Sequence, residues 1–500
     1  MLYSKIQNRA RFTFVSTFIL AMLVHLYIMV NGFLNHDSMF NFYSVDAGSG
    51  SGRFTLKYLN GITSHFDLHY LNALVSIIYI SLTVVLLVAL FKITSRLLIV
   101  LLSLLYVSYP TVSATFAYMF TSDGYFLSNF LTVLAIYLVF NLRRKWISVP
   151  VGALLIYIAL GTYQINLSIA LSLILFLFIR DNLVEKSIPY LKYLLAGCSV
   201  VLGLIVYVVH FKWYQNTSGV LAYNGIDKAG QINLEIINKA IENTFEDLQW
   251  YLFNDYHFMN LFEVLNVIFV LLCAAFIVLA FIVNRRSLIQ ISSVIFSIAV
   301  IPFVWYCIYF ISPEVTYHIL MKQQFMFIFI IGIVLIELFY SHKNRMIQLI
   351  NVAMLIVLTL IGFNHSIISN IYYEKMSDVN KQTDALFNRV VYDIERIEQY
   401  DQTMPIVIVG YPSRALSVAK RYDEKTPWNV GVGNRIVYDY GSAVRYMQNE
   451  VGLHNPVKHL FQKYIEKNKE QINEMPVWPA KGSIKIIEDT IVVNFGEDEW

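Results

Sequence analysis

The sequence predicts an α-helical polytopic membrane protein, with about eleven spanning helices followed by a small α/β domain outside the bilayer. Three observations carry this reading. The 500 residues are 57% hydrophobic and only 14% charged, where a soluble domain carries about a quarter charged residues, and the mean hydropathy is +0.56. Apolar runs long enough to cross a hydrocarbon core of about 30 Å recur along the chain. Basic residues mark every second connection between these runs, the pattern that charge gives to cytoplasmic loops. The runs lack the roughly ten-residue alternation of barrel strands, so helices are the expected spanning element.

Taken in order, the expected helix cores are 12–31, 69–91, 97–118, 125–141, 146–162, 164–180, 190–211, 259–283, 287–311, 323–341 and 345–364. Lys5, Arg9 and Arg11 precede the first. Lys92 and Arg96, "RRK" at 143–145, Arg180 with Lys186 and Lys192, "NRR" at 284–286 and "HKNR" at 342–345 fall at alternate connections. The N-terminus is therefore expected in the cytoplasm and the C-terminal segment outside. "GTYQ" at 161–164 leaves two readings of 146–180: two short spans, or one broken re-entrant segment. The first run is long, and no small-x-small cleavage site follows it, so it reads as a retained helix and not as a signal peptide.

Composition changes after Asn364, which divides the chain into a transmembrane domain, 1–365, and a polar domain, 366–500. Within the latter, "MPIVIVGYP" at 404–412 reads as a buried strand. Residues 413–425 and 457–475 read as helices, and 482–495 as two strands joined at "ED". Two long outer loops, 34–67 and 212–258, interrupt the membrane domain, and the second carries an amphipathic helix, "INLEIINKAIENTFEDLQWYLF". There is no internal repeat of the kind many transporters show. Cys198, Cys273 and Cys307 each sit in an apolar run and read as small buried hydrophobes. A net charge of +3 is too small to imply nucleic acid as a partner. The partner that composition itself implies is the lipid bilayer.

The residues able to carry chemistry gather at the outer ends of the helices. The first loop, "LNHDSMFNFYSVDAGSGSGR", holds Asp37, Asp46 and Arg53. A carboxylate at a membrane surface can serve as a general base, and an arginine there can hold a phosphate or pair with Asp46. "GSGSG" matches neither nucleotide-loop pattern and reads as a flexible loop that orders on binding substrate. Asp123 in "TSDGY", Tyr163 and Gln164 in "GTYQ", and Glu314, His318 and Lys322 in "SPEVTYHILMKQQ" lie at the same face. Taken singly, each reads as a helix cap or an interfacial anchor; together they read as the lining of a cleft between membrane and water. His25, inside the first helix, reads as a satisfied core histidine.

The order of "NHDSMFNFYSVDAGSGSGR", "YPTVSATFAYMFTSDGYFLSNFLTVLAIYL", "GTYQINLSIALSLILFLF" and the tail "MPVWPAKGSIKIIEDTIVVNF" resembles the polytopic glucosyltransferases that modify bacterial O-antigen, the Gtr type II family. The resemblance implies a GT-C-like architecture in the bacterial inner membrane, with the C-terminal domain periplasmic. It implies an inverting transfer of glucose from a polyprenyl-phosphate carrier to O-antigen polysaccharide, with a donor synthase and a flippase as pathway partners. It matches Asp37 to the catalytic acid, with Asp46 in competition because His36 stands where a second acid is usual. Arg53 or Lys322 would offset charge on the leaving phosphate. No cofactor is certain, and a divalent ion (Mg2+ or Mn2+) held by Asp37 and Asp46 stays open. The competing classes are a lipid-linked oligosaccharide flippase or other transporter, an O-antigen polymerase or ligase, and a non-catalytic envelope scaffold.

Overall fold

In an apolar solvent every backbone N–H and C=O must find its partner inside the segment, and the apolar runs accordingly fold as helices. The computed structural model describes residues 2–41, 51–60, 67–218, 234–253, 263–312, 314–410, 436–437 and 439–496. The chain divides into two units, Met1–Gly32 with Tyr43–Asn370, and Phe33–Phe42 with Ile371–Trp500.

The first unit contains α1 (Leu2–Asn31), the short α2 (Leu56–Asn60), α3 (His69–Phe91), α4 (Arg96–Ser108), α5 (Pro110–Ala117), α6 (Met119–Asn141) and α7 (Lys145–Thr162). It continues through α8 (Asn166–Val184), α9 (Tyr190–Ser218), α10 (Leu234–Phe253), α11 (Glu263–Val283), α12 (Leu288–Trp305), α13 (Phe327–Phe339) and the start of α14 (Arg345–Glu395). Among the described residues nine helices are long and apolar enough to cross a membrane, or ten with α4 and α5 counted as one span. The expected count of about eleven thus falls by one or two. Between α4 and α5 the path bends by 43°. There Tyr109 is extended (φ −57°, ψ 134°), as a residue before proline prefers, and Pro110 opens the next helix. The expected span 323–341 is shortened to a 3₁₀ turn, Gln323–Met326, leading into α13. Residues 146–180 resolve into two separate helices, α7 and α8.

Packing in this unit fits a lipid surround. Leu23, Leu154, Val209, Val267, Ile282 and Phe296 are exposed, whereas small polar side chains meet inside. Thr17 bonds Ser103 at 2.9 Å, Ser76 bonds Ser122 at 3.1 Å, and Thr132 bonds Asn166 at 2.9 Å. Such contacts let membrane helices approach closely without an aqueous hydrophobic drive. One set of helix ends is clamped by charge. Arg180 of α8 is buried and donates to Asp181 and to Glu185, the latter at 3.0 Å. Lys92 reaches Glu185 at 2.8 Å and Tyr193 donates to Asp181 at 2.6 Å. Arg286 and Gln290 donate to the Glu185 carbonyl. Arg180, expected at a helix end flanking a basic connection, lies within α8 and is internally paired.

The second unit forms around the polar half of α14, which runs unbroken for 51 residues to Glu395, past the composition change at Asn364. Val379, Leu386, Phe387, Val390 and Ile394 keep an apolar stripe at helical spacing and enter the core. Against them lies a three-stranded sheet of order β1 (Ile406–Val409), β3 (Thr490–Asn494), β2 (Ile484–Ile487). β3 is central and wholly buried, parallel to β1 and antiparallel to β2. The expected hairpin is present, and its two turn residues, Glu488 and Asp489, both adopt positive φ (44° and 56°), as a tight two-residue turn demands. Two short helices, Phe461–Lys467 and Lys469–Asn473, occupy the expected 457–475 segment. The helix expected at 413–425, and parts of the 212–258 loop, lie outside the described residues.

Candidate functional site

Opposite the charged clamp, the other helix ends of the first unit receive residues 51–55. The Thr55 amide donates to the Gly161 carbonyl at 2.9 Å, and its hydroxyl pairs with Thr162 at 2.8 Å. Gln164 donates to the Ser51 carbonyl and to the Tyr207 hydroxyl, which itself donates to the Gly52 carbonyl. Phe54 is buried against Tyr157, Tyr207, His210 and Phe211. Residues 51–55 are therefore packed in place, which corrects the reading of this part of the stretch as a flexible loop. Gly52 shows why: its φ is +79°, and a Cβ there would stand 2.5 Å from the Tyr207 hydroxyl and 2.7 Å from Gln164 Nε2. Glycine serves close approach here, and mobility is no part of its role.

This staple aims Arg53. Its guanidinium lies 4.8 Å from the centre of the Tyr163 ring and donates to the Tyr125 hydroxyl at 3.0 Å. The two tyrosine rings stack at 4.6 Å, 15° from parallel. A planar cation on an aromatic face with its fork directed is a geometry suited to phosphate. Nearby, the segment between α12 and α13 is tied down by Thr111 on the Ile319 carbonyl (2.9 Å), Gln324 on the Trp305 carbonyl (2.8 Å) and the Ile308 amide on the Tyr317 hydroxyl (3.2 Å). It brings His318 and Lys322 into electrostatic reach of one another, and His318 into reach of Arg53.

Lys322 is buried. His318 is exposed, in surroundings dense with protein atoms. That enclosure first, and the charges of Arg53 and Lys322 second, hold its imidazole below the usual histidine range. His318 is consequently neutral at neutral pH. On α10, Asp247 accepts from the Tyr309 hydroxyl and lies within reach of Lys322. Burial pushes its carboxyl up, and the Tyr309 hydrogen bond and the Lys322 charge oppose this.

The other expected residues are placed differently. Asp123 is buried within α6, where its Oδ1 accepts the Gly124 amide at 2.9 Å. The junction expected at 119–124 is helical, because α6 resumes at Met119, directly after Tyr118. Glu314 is exposed. Asp37 belongs to the second unit. Leu34 exchanges two hydrogen bonds with Asn380 of α14 (3.0 and 3.1 Å), and Leu34 and Met39 enter that unit's core. Asn35 Oδ1 accepts the Asp37 amide at 2.8 Å and Asn41 donates to the Asp37 carbonyl at 2.8 Å. The carboxylate is thus presented on a held backbone, 45% exposed, 3.6 Å from His36 Nε2. Asp46 lies outside the described residues. No group of three or more His, Cys, Asp or Glu side chains converges as a metal site among the described residues.

Tyr125, Asp247 and Tyr309 were not singled out in the sequence. Tyr125 stands two residues from Asp123 in "TSDGY", and Asp247 was hidden among the acids of an amphipathic helix.

A helical bundle with exposed apolar flanks defines a polytopic membrane protein, and one set of its helix ends carries a tyrosine-backed arginine, a histidine and a buried lysine. The chain matches the family Glucosyl transferase GtrII over residues 26–327, more than half its length. It belongs to that family, and its activity is glucosyl transfer. The match spans Arg53, Tyr125, Tyr163, Gln164, Asp247, Tyr309, His318 and Lys322. No curated protein and no solved structure matches the chain.

Gly52→Ala is expected to lower transfer by about 10²-fold, because a displacement of roughly 1 Å at Arg53 is costly to catalysis, while the protein still inserts. Initial rates in membranes normalised to protein amount check this.

Proposed function

We propose that the protein transfers glucose, with inversion, from a polyprenyl-phosphate carrier of the undecaprenyl type to O-antigen repeats at the periplasmic face of the inner membrane. The observation that supports this best is the Arg53 assembly: a guanidinium fixed on Tyr163 and Tyr125, with His318 and Lys322 in the same electrostatic neighbourhood. A lipid phosphate is an anion that arrives within the bilayer, and a helical protein with cations at its helix ends can meet it there. The alternation of basic connections supports the N-terminus in the cytoplasm and the Arg53 end facing outward.

In the reaction an acceptor hydroxyl gives its proton to a carboxylate as its oxygen bonds to the anomeric carbon. The bond from that carbon to the phosphate oxygen breaks, and its electron pair leaves on the phosphate. Arg53 and Lys322 offset that charge where it develops. The base is assigned to Asp37, which has a positioned backbone and a half-exposed carboxylate. Asp46 remains its competitor. O-antigen repeats are the acceptor partner in this reading.

Asp37→Asn is expected to cut transfer by about 10²–10⁴-fold, the usual contribution of a general base, with unchanged expression and insertion. Transfer of labelled glucose from the lipid donor to O-antigen in membranes measures it. A wild-type rate for Asp37→Asn beside an inactive Asp46→Asn would move the role to Asp46. Full activity in both would remove the first-loop base.

A further inference from the structure

The face of the second unit that carries Asp37 holds more than a carboxylate. Ser38–Phe40 is a 3₁₀ turn with Asp37 as its N-cap, itself in the helical region (φ −84°, ψ −15°). The Phe40 amide donates to the Asp37 carbonyl at 3.2 Å and closes the turn. In such a turn, side chains three residues apart project in the same direction. Ser38 and Met39 are buried, while Phe40 stays 39% exposed on the side of Asp37. A single exposed phenylalanine means little by itself. This one is met by a cation.

The cation is Arg445, which leaves the exposed side of the helix Tyr440–Tyr446, whose Ala443, Val444 and Tyr446 are buried. Both ends of that helix are tied down. Asp439 accepts the Ser442 amide at 2.6 Å and the Ser442 hydroxyl accepts the Asp439 amide at 3.0 Å, a reciprocal cap. At the other end the Tyr446 hydroxyl donates to Asp384 of α14. From this base the Arg445 guanidinium lies 4.6 Å from the centre of the Phe40 ring. Among the described residues no carboxylate pairs with it.

An acid, an aromatic ring and a guanidinium fork thus share one exposed face. A sugar answers all three: its C–H face covers a ring, and its neighbouring hydroxyls donate to a carboxylate and accept from a fork. An anion would meet repulsion from Asp37, and a hydrocarbon would strip water from both charges without replacing it. We propose that Phe40 and Arg445 form the subsite that holds the acceptor sugar and present its hydroxyl to Asp37. The inference rests on the assignment of Asp37 as base and of O-antigen as acceptor. It adds two residues that touch the acceptor and not the lipid donor.

The test titrates lipid-free O-antigen polysaccharide, released from the lipopolysaccharide of the host cells, against the full-length protein in detergent, for wild type, Phe40→Leu, Phe40→Trp and Arg445→Gln. Phe40→Leu and Arg445→Gln are each expected to bind about tenfold more weakly. Phe40→Trp is expected within about twofold of wild type, since a larger ring still stacks. In transfer assays the two weak binders are expected to raise the acceptor KM by a similar factor and to leave the KM for the lipid donor unchanged, which a general loosening of the fold would not do. Wild-type acceptor binding in either weak binder overturns the proposal. So does a rise in both KM values together, a Phe40→Trp defect as large as that of Phe40→Leu, or an absence of polysaccharide binding in the wild type. The two readings fail separately. The expected binding pattern in a protein that transfers no glucose would contradict the reaction assigned above and leave the subsite intact; glucose transfer at the wild-type acceptor KM by both variants would do the reverse.

Discussion

Arg53→Ala is expected to lower glucose transfer by about 10²–10³-fold, the scale on which removal of one preorganised charge-stabilising group acts. Arg53 combines a delocalised charge, a ring stacked beneath it and a hydrogen bond to Tyr125 that sets its direction. Alanine removes all three. Lysine keeps only the charge, so Arg53→Lys is expected to retain a small part of the rate, since a point charge reproduces neither the fork nor the stacking. The measurement is the initial rate of transfer in membranes at saturating acceptor, with elution of the detergent-solubilised protein as the control for folding. Near-wild-type rates for Arg53→Ala would remove the cation from the reaction.

Arg180→Ala is expected to be the most destabilising single change in the membrane unit. Arg180 is 6% exposed at the side chain, its partners Asp181 and Glu185 are 12% and 36% exposed, and it ties them together at one end of the bundle. Removing one member of a buried ion pair strands the other, at about 3–5 kcal/mol. Lys92 still compensates Glu185, so a loss of about 3 kcal/mol, near the low end, is expected. The observable is the half-life of the solubilised protein at fixed elevated temperature, because membrane proteins commonly unfold irreversibly. Specific activity per folded molecule is expected to stay near wild type, since the clamp lies at the helix ends away from Arg53. A half-life equal to wild type would show that the clamp adds nothing to stability.

Much of the membrane unit was readable because lipid leaves the backbone few options. An apolar run long enough to span must be helical, and the break in "GTYQ" was visible as two polar residues between two such runs. The bend at Tyr109 needed only the rule for residues preceding proline, yet an apolar average over 97–118 smooths it away. The continuation of α14 to Glu395 was missed because hydropathy falls at Asn364 while helical phase does not. Residues 379, 386, 387, 390 and 394 kept that phase. Gly52 misled for a chemical reason: a residue without a Cβ is selected both for freedom and for close approach, and only the neighbouring Tyr207 and Gln164 distinguish the two. Arg53, Tyr163, Gln164, His318 and Lys322 were each visible as polar residues at helix ends. Their convergence joins three separate segments and exists only in the packed bundle. Asp247 was invisible for the converse reason, since an acid on an amphipathic helix reads as part of its solvated face.

In the proposed reaction the chain adds glucose to O-antigen repeats from a lipid-linked donor. The most direct test is the mass of the O-antigen repeat in lipopolysaccharide from cells that supply the donor lipid, with the wild-type chain, with Arg53→Ala, and without the chain. A repeat heavier by one hexose is expected only with the wild-type chain, with linkage analysis identifying the added sugar as glucose. Repeats of equal mass with and without the wild-type chain would contradict it.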